Sequence, residues 1–132
     1  MTLKFTSLND MFQDERARIE FVVPYTKGTY NEEGIQYEVF EFIDPKSKQL
    51  SRFEFSQTKI NLFTGPSSLL FELNKKIPNE YTIQDGDTKF KAYLYTRLTL
   101  IEYSNTLKNF SYILFDKDRE IGNIKISLEI LD

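Results

Sequence analysis

The chain has 132 residues, a net charge of −3 and neither cysteine nor histidine, which excludes disulfides, common zinc sites and histidine-based catalytic triads. Its length suits one domain over residues 1–132, and its acidic balance argues against nucleic-acid binding. Because no long apolar run occurs, we expect neither a signal peptide nor a membrane span, with a cytoplasmic location as the default.

Alternating apolar and polar residues predict short strands through the first half of the chain. A first candidate covers about residues 3–8. A second places one set of side chains on a common face: Ala17, Ile19, Phe21, Val23 and Tyr25. Between them, Asn9–Arg16 fits a loop or a short helix capped by Asn9. Further strands are expected at about 35–43, 49–56, 59–64 and 67–74.

The second half continues the pattern with candidates at about 79–84, 89–96, 97–104 and 109–116. The clearest strand is the last one, in which every second residue is apolar: Ile124, Ile126, Leu128 and Ile130. Such alternation is typical of an antiparallel strand with one buried face and one wet face.

Turn-forming residues separate these segments. They are Glu33-Gly34, Asp44-Pro45, Gly65-Pro66, Pro78, Asp85-Gly86 and the stretch Asp116–Glu120. Glycine supplies the positive φ that tight hairpins need, and proline interrupts a strand. Short strands with turns between them predict an all-β sandwich or barrel with at most one short helix.

Several short segments follow one another along nearly the whole chain: Leu3–Leu8, the acidic loop Asn9–Glu15, RIEFVVPYTKGTY at Arg18–Tyr30, IQYEVFEF with Tyr37 and Glu41, NLFTG ending at Gly65, NEYTI around Tyr81, and FSYILFD with GNIKISLEI. The order of these segments resembles the YwiB-type family of small bacterial calycin-like proteins, a domain of unknown function.

This resemblance implies a single antiparallel, lipocalin-like barrel of roughly eight to ten strands. The family carries no established activity, so no catalytic residue transfers from it. The chain departs from the family at Phe63-Thr64-Gly65, where the family usually has an arginine before the glycine. A polar site that uses this arginine in relatives would be altered here.

Glu41 is the most informative single residue, because alternation places it on one face with Tyr37 and other apolar neighbours. A buried carboxylate needs a partner, and Arg52 and Arg97 are the candidates on other strands. Glu41 would then anchor a ligand inside the barrel. The alternatives are a barrel rim in water or an outward orientation, since Phe40 and Phe42 also make a plausible inward face.

Two further surfaces have simple explanations. Arg52 and Glu54 alternate with Phe53 and Phe55, which predicts a solvated outer face. Tyr93 and Tyr95 on the strand expected at 89–96 would belong either to the core or to an interface. Tyrosine suits an interface because its ring can be buried while its hydroxyl stays in water.

These observations favour a non-enzymatic binding module for a small apolar or amphipathic ligand held inside the barrel by Glu41, Tyr37, Arg52 and Arg97. The alternative is a protein–protein interaction module with a fully packed barrel. An enzyme using Glu41 as acid or base ranks third. We expect no cofactor, no metal and no nucleic-acid partner, and a monomer or weak homodimer.

Overall fold

A computed structural model describes residues 1–9 and 18–131, with backbone only for 81–85. Apart from Asn9, which ends the first strand, the short helix weighed for Asn9–Arg16 lies outside these residues. Within the described part no helix could cross a membrane. The strands are β1 (Thr2–Asn9), β2 (Arg18–Pro24), β3 (Thr26–Glu32), β4 (Ile35–Ile43), β5 (Leu50–Phe55), β6 (Lys59–Thr64), β7 (Ser67–Glu72), β8 (Lys76–Asp85), β9 (Thr88–Tyr103), β10 (Leu107–Asp116) and β11 (Arg119–Ile130).

The strands form two antiparallel sheets. The six-stranded sheet has the order β2-β1-β11-β10-β9-β8, and the five-stranded sheet has the order β3-β4-β5-β6-β7. The predicted all-β antiparallel fold is therefore confirmed, and the eleven strands of the described residues divide between two sheets.

Three local predictions differ from the structure. The two strands expected at 89–96 and 97–104 are one continuous strand, since neither glycine nor proline interrupts it. Strand β3 is short, polar and exposed, and it lacks the alternation that would have revealed it. Pro78 lies inside β8 instead of ending a strand; β8 is the outermost strand of its sheet, where a missing N–H is tolerated.

The predicted hairpin turns are confirmed by backbone conformation. Glu33 and Gly34 have φ of 52° and 80° between β3 and β4, as a two-residue hairpin with two positive φ angles requires. Gly65 and Gly86 have φ of 56° and 61° in the next predicted turns. These turns fix the register, and the register decides which face each side chain occupies.

Aromatic rings fill the space between the two sheets. Phe5 stacks on Phe21 at 4.8 Å between ring centroids, and Phe42 stacks on Phe53 at 5.7 Å. Further along the core, Phe71 lies 4.5 Å from Tyr112. Aliphatic side chains complete the same buried cluster, among them Leu3, Ile60, Leu98, Ile126 and Leu128. The interior is a packed core at the level of these rings.

One seam between the sheets is joined through a buried side chain. The Asn79 amide on β8 accepts a hydrogen bond from the Leu70 N–H at 2.7 Å and donates to the Leu70 carbonyl at 3.1 Å. It also donates to the Thr96 hydroxyl at 3.0 Å, and that hydroxyl donates to the Leu70 carbonyl at 2.6 Å. Asn79 thus substitutes for backbone pairing between β7 and β8.

Candidate functional site

The register places Glu41 on the face of the five-stranded sheet that points away from the aromatic core. Phe40 and Phe42 on the same strand belong to that core, so Tyr37 and Glu41 occupy the opposite side, called here the outer face. The outward orientation of Glu41, which alternation with Phe40 and Phe42 allows, is therefore the one found. The carboxylate that alternates with Phe40 and Phe42 is Glu38.

Arg52 meets Glu41 on this outer face, as expected for one of its two candidate partners. The two residues are directly opposite on β4 and β5, with Arg52 Nη1 3.7 Å from Glu41 Oε1. The Arg52 guanidinium also lies 5.5 Å from the Tyr30 ring centroid. Glu41 remains one-third exposed, so this ion pair lies at the surface.

Glu54 is the buried carboxylate of the outer face. It is only 4% exposed, whereas its alternation with Phe53 and Phe55 predicts a solvated side chain. Arg52 Nε donates to Glu54 Oε2 at 2.8 Å, and Asn61 Nδ2 donates to Glu54 Oε1 at 3.0 Å. The Arg-x-Glu spacing was visible in the sequence, but the pairing with Asn61 depends on the register of β5 and β6.

A cleft of about 460 Å³ lies on this outer face. Its apolar wall includes Tyr30, Tyr37, Phe63 and Leu70. Polar residues line the remainder: Glu32, Glu33, Glu54, Lys59, Asn61, Ser68 and Glu72. The Tyr30 and Tyr37 rings lie 6.3 Å apart. A volume of this size is within the range of roughly 300–1,000 Å³ typical of small-molecule sites.

A second polar cluster lies at one end of the interior, centred on Glu38. Lys27 Nζ is 2.8 Å from Glu38 Oε1, and Lys108 Nζ is 3.0 Å from Glu38 Oε2. Burial acts to raise the pKa of Glu38, but hydrogen bonds from the two lysines outweigh it and hold the pKa below its ordinary value. The same contact with Glu38 raises the pKa of Lys27.

Tyr103 borders this polar cluster and links the two sheets. Its hydroxyl donates to the Ser56 carbonyl at 3.0 Å, and burial raises its pKa well above the usual value for tyrosine. A shallow cleft of about 390 Å³ opens here between Lys27, Gln36 and Tyr103. Because Glu38 is held ionised and Tyr103 protonated at neutral pH, these groups suit positioning better than proton transfer.

Arg97 lies apart from the other predicted site residues. It is on β9 in the six-stranded sheet, with its guanidinium 5.7 Å from the Phe115 ring centroid. The structure therefore brings Tyr37, Glu41 and Arg52 to one face, and places Arg97 on a different sheet. The sequence pattern did not reveal that Tyr30 and Phe63 line a cleft together with Tyr37. Tyr30 is opposite Tyr37 and Phe63 is opposite Arg52, and both placements depend on the register between strands.

The fold has a counterpart among solved structures. The crystal structure of ywiB protein from Bacillus subtilis matches with a TM-score of 0.57 and 13% sequence identity, over 99% of this chain and 91% of that chain. No protein-family model and no curated protein sequence matches. The chain therefore has a YwiB-like fold, as the sequence resemblance predicted, and an identity this low carries no information about activity.

Proposed function

We propose that this chain is a non-enzymatic, cytoplasmic, calycin-like binding domain that holds a small amphipathic ligand in the outer-face cleft. The observation that carries the proposal is the cleft itself, in which aromatic walls face a set of polar side chains. Ligand sites in proteins are typically concave and largely apolar, with a few polar groups that fix orientation.

The cleft is held in shape before any ligand arrives. Glu54 is buried and bonded to both Arg52 and Asn61, so these three side chains are fixed relative to one another. Arg52 in turn lies against Tyr30. Rigid walls reduce the ordering cost of binding. We assign Tyr37 to direct contact with the ligand, and Arg52 with Glu41 to positioning the wall.

The outer cleft is a better location than the interior. Stacked rings such as Phe42, Phe53 and Phe55 occupy the space between the sheets, so a ligand there would have to displace well-packed side chains. Phe63 lines the outer cleft in the stretch where the YwiB-type pattern has an arginine before the glycine. An apolar wall at this point favours an amphipathic ligand over a strongly anionic one.

Blocking the cleft tests the proposal. Ser68 lines the cleft, so Ser68→Trp should fill it, whereas Ser47→Trp adds the same side chain in an exposed turn of the same sheet. We expect native mass spectra of freshly purified wild type and Ser47→Trp to show a small-molecule adduct. Ser68→Trp should lack it.

The same three proteins can be titrated with Nile red, a neutral amphipathic dye. Saturable fluorescence in the wild type and in Ser47→Trp, lost in Ser68→Trp, would support the proposal. Equal adduct and equal dye binding in all three proteins would place the ligand elsewhere.

The second candidate is an interaction module with a packed interior. The filled core and the exposed aromatic residues Phe90 and Tyr93, which are 50% and 66% exposed, favour it. Tyrosine is enriched among residues that carry binding energy at protein interfaces. A clean native mass together with no saturable dye binding would support this function. In either case we expect a monomer or weak homodimer.

A further inference from the structure

Two cations face each other on the six-stranded sheet, on the side that points away from the aromatic core. Lys76 on β8 and Arg97 on β9 are direct register partners, so their side chains lie on the same face. Like charges placed directly opposite each other destabilise an antiparallel pair. Further along the same two strands, Lys91 forms an ion pair with Glu80 at 3.0 Å. Lys76 and Arg97, by contrast, place two like charges opposite each other.

Both cations are held on one aromatic ring. Phe115 is 6% exposed although it lies outside the core cluster. Lys76 Nζ lies 4.3 Å from the Phe115 ring centroid, and the Arg97 guanidinium carbon lies 5.7 Å from it. Lys76 Nζ also lies 5.2 Å from the Tyr95 ring. These contacts hold the two positive charges close together and orient them.

Neutralisation of the pair is incomplete. Lys76 Nζ donates to the Lys117 carbonyl at 2.7 Å and lies 3.5 Å from Asp118, whose side chain is fully exposed. Among the side chains that the structure describes, those of residues 1–9, 18–80 and 86–131, Arg97 has a ring contact but no ion pair or hydrogen bond. The half-buried guanidinium thus presents donors that no anion within this described part receives.

Two aromatic rings continue this face along β9. Tyr95 is the nearer ring, 5.2 Å from Lys76 Nζ, so an anionic group near Arg97 and Lys76 would lie beside it. Tyr93 is two residues further along the same face and is 66% exposed, so its ring extends the surface available to a flat ligand.

We propose that this Arg97 surface, formed by Lys76, Tyr93, Tyr95, Arg97 and Phe115, binds a phosphate monoester carried on an aromatic ring. A phosphate dianion matches the two cations in charge, and guanidinium groups bind phosphate through paired hydrogen bonds. Tyr95 stacks against the aromatic part, and the exposed ring of Tyr93 extends that surface along the strand. The surface lies on the six-stranded sheet, which contributes only Ile77 to the lining of the outer-face cleft. The proposal is independent of the function proposed for that cleft.

Phenyl phosphate is the probe that tests this assignment. In a nuclear magnetic resonance titration at constant ionic strength, we expect saturable shifts of the backbone amides of Tyr93, Tyr95 and Arg97. Arg97→Gln and Lys76→Gln should each weaken binding by about tenfold or more, because each removes a charge-assisted hydrogen bond. The matched control Lys46→Gln, in an exposed turn of the other sheet, should bind as the wild type does.

Thermal melts provide a second readout. Phenyl phosphate should raise the melting temperature of the wild type and of Lys46→Gln, but not that of Arg97→Gln. Absence of saturation, or equal affinity in Arg97→Gln, would overturn the site. Equal affinity for inorganic phosphate would overturn the aromatic part of the assignment. Ser68→Trp, which blocks the outer-face cleft, should leave phenyl phosphate binding unchanged; if it abolished that binding, the separation of the two sites would be wrong.

Discussion

Arg52 is shared by two carboxylates that differ in burial. Glu54 is 4% exposed and has hydrogen bonds to both of its oxygens, whereas Glu41 is one-third exposed and 3.7 Å from the arginine. An exposed ion pair contributes little because solvent screens it and both side chains lose freedom. A buried, bonded carboxylate is costly to replace because its partners are left unsatisfied.

Glu54→Gln should therefore destabilise the protein by about 1.5–3 kcal/mol, since the charge-assisted bonds to Arg52 and Asn61 are weakened. Glu41→Gln serves as the matched control and should change stability by no more than about 0.5 kcal/mol. Urea denaturation of the three proteins measures the difference. If Glu41→Gln were the more damaging change, the assignment of the buried carboxylate would be wrong.

Glu38 should make the free energy of unfolding depend on pH in the acidic range. Its pKa in the folded protein lies below the ordinary 4.5. The stabilising contribution of Glu38 is therefore complete above pH 4.5 and is lost as the pH falls through the pKa of the folded protein. At neutral pH, Glu38→Gln should cost about 1.5–3 kcal/mol because it leaves Lys108 without its carboxylate.

The difference in unfolding free energy between wild type and Glu38→Gln should shrink as the pH falls below 4.5. Thr29 lines the same cleft as Glu38, but its side chain does not titrate. Any effect of Thr29→Val on the unfolding free energy should therefore not depend on pH. Denaturation series at neutral and acidic pH measure both differences. A constant difference between wild type and Glu38→Gln would contradict the lowered pKa.

Among the elements, the join between β7 and β8 depends most on a single side chain. Asn79 satisfies both backbone groups of Leu70 and the Thr96 hydroxyl. We expect Asn79→Ala to cost about 2–4 kcal/mol, because buried donors and acceptors lose their partners together. Asn31→Ala, on the exposed edge strand β3, is the control and should be nearly neutral. Similar melting temperatures for the two variants would show that the seam does not depend on the amide.

Strand β11 occupies an internal position in the six-stranded sheet, between β1 and β10. Of its four alternating apolar residues that the sequence predicts to be buried, Ile124, Ile126 and Leu128 are buried. The fourth, Ile130, is half-buried and packs against the core. Ile126→Ala should therefore cost about 2–5 kcal/mol through lost burial and a residual cavity.

Deleting residues 122–132 should abolish folding, because β1 and β10 would each lose one of their two partner strands. Circular dichroism and thermal melts of Ile126→Ala and of the truncated chain check both expectations. A truncated chain with an unchanged melting temperature would contradict the central position of β11.

At the scale of the whole molecule, both sheets contribute to one aromatic core. Phe53 on β5 lies 6.3 Å from Phe110 on β10, and Phe71 on β7 lies 5.8 Å from the same ring. Tyr103 and the Glu38–Lys108 pair add polar links between the sheets.

We therefore expect the chain to unfold in one cooperative transition, as proposed for a single domain. The transition should be the same with and without reducing agent, because the chain contains no cysteine. Differential scanning calorimetry tests this expectation. Two separately melting units would contradict it.

Local sequence patterns predict the all-β class, most strand positions and the turns, because period-two alternation and glycine or proline placement are local properties. The buried face of β11 followed from the same alternation. Strand β3 was not predicted, because a polar, exposed edge strand has no such alternation.

The identity of the buried carboxylate and the contacts between strands follow from the way the strands pair in the fold. A shift of one position in register exchanges the two faces of a strand, so Glu38 points inward and Glu41 outward. Likewise, Glu54 meets Asn61 and Lys76 faces Arg97 through pairing between strands. These contacts depend on how strands align in space, and no single strand specifies that alignment.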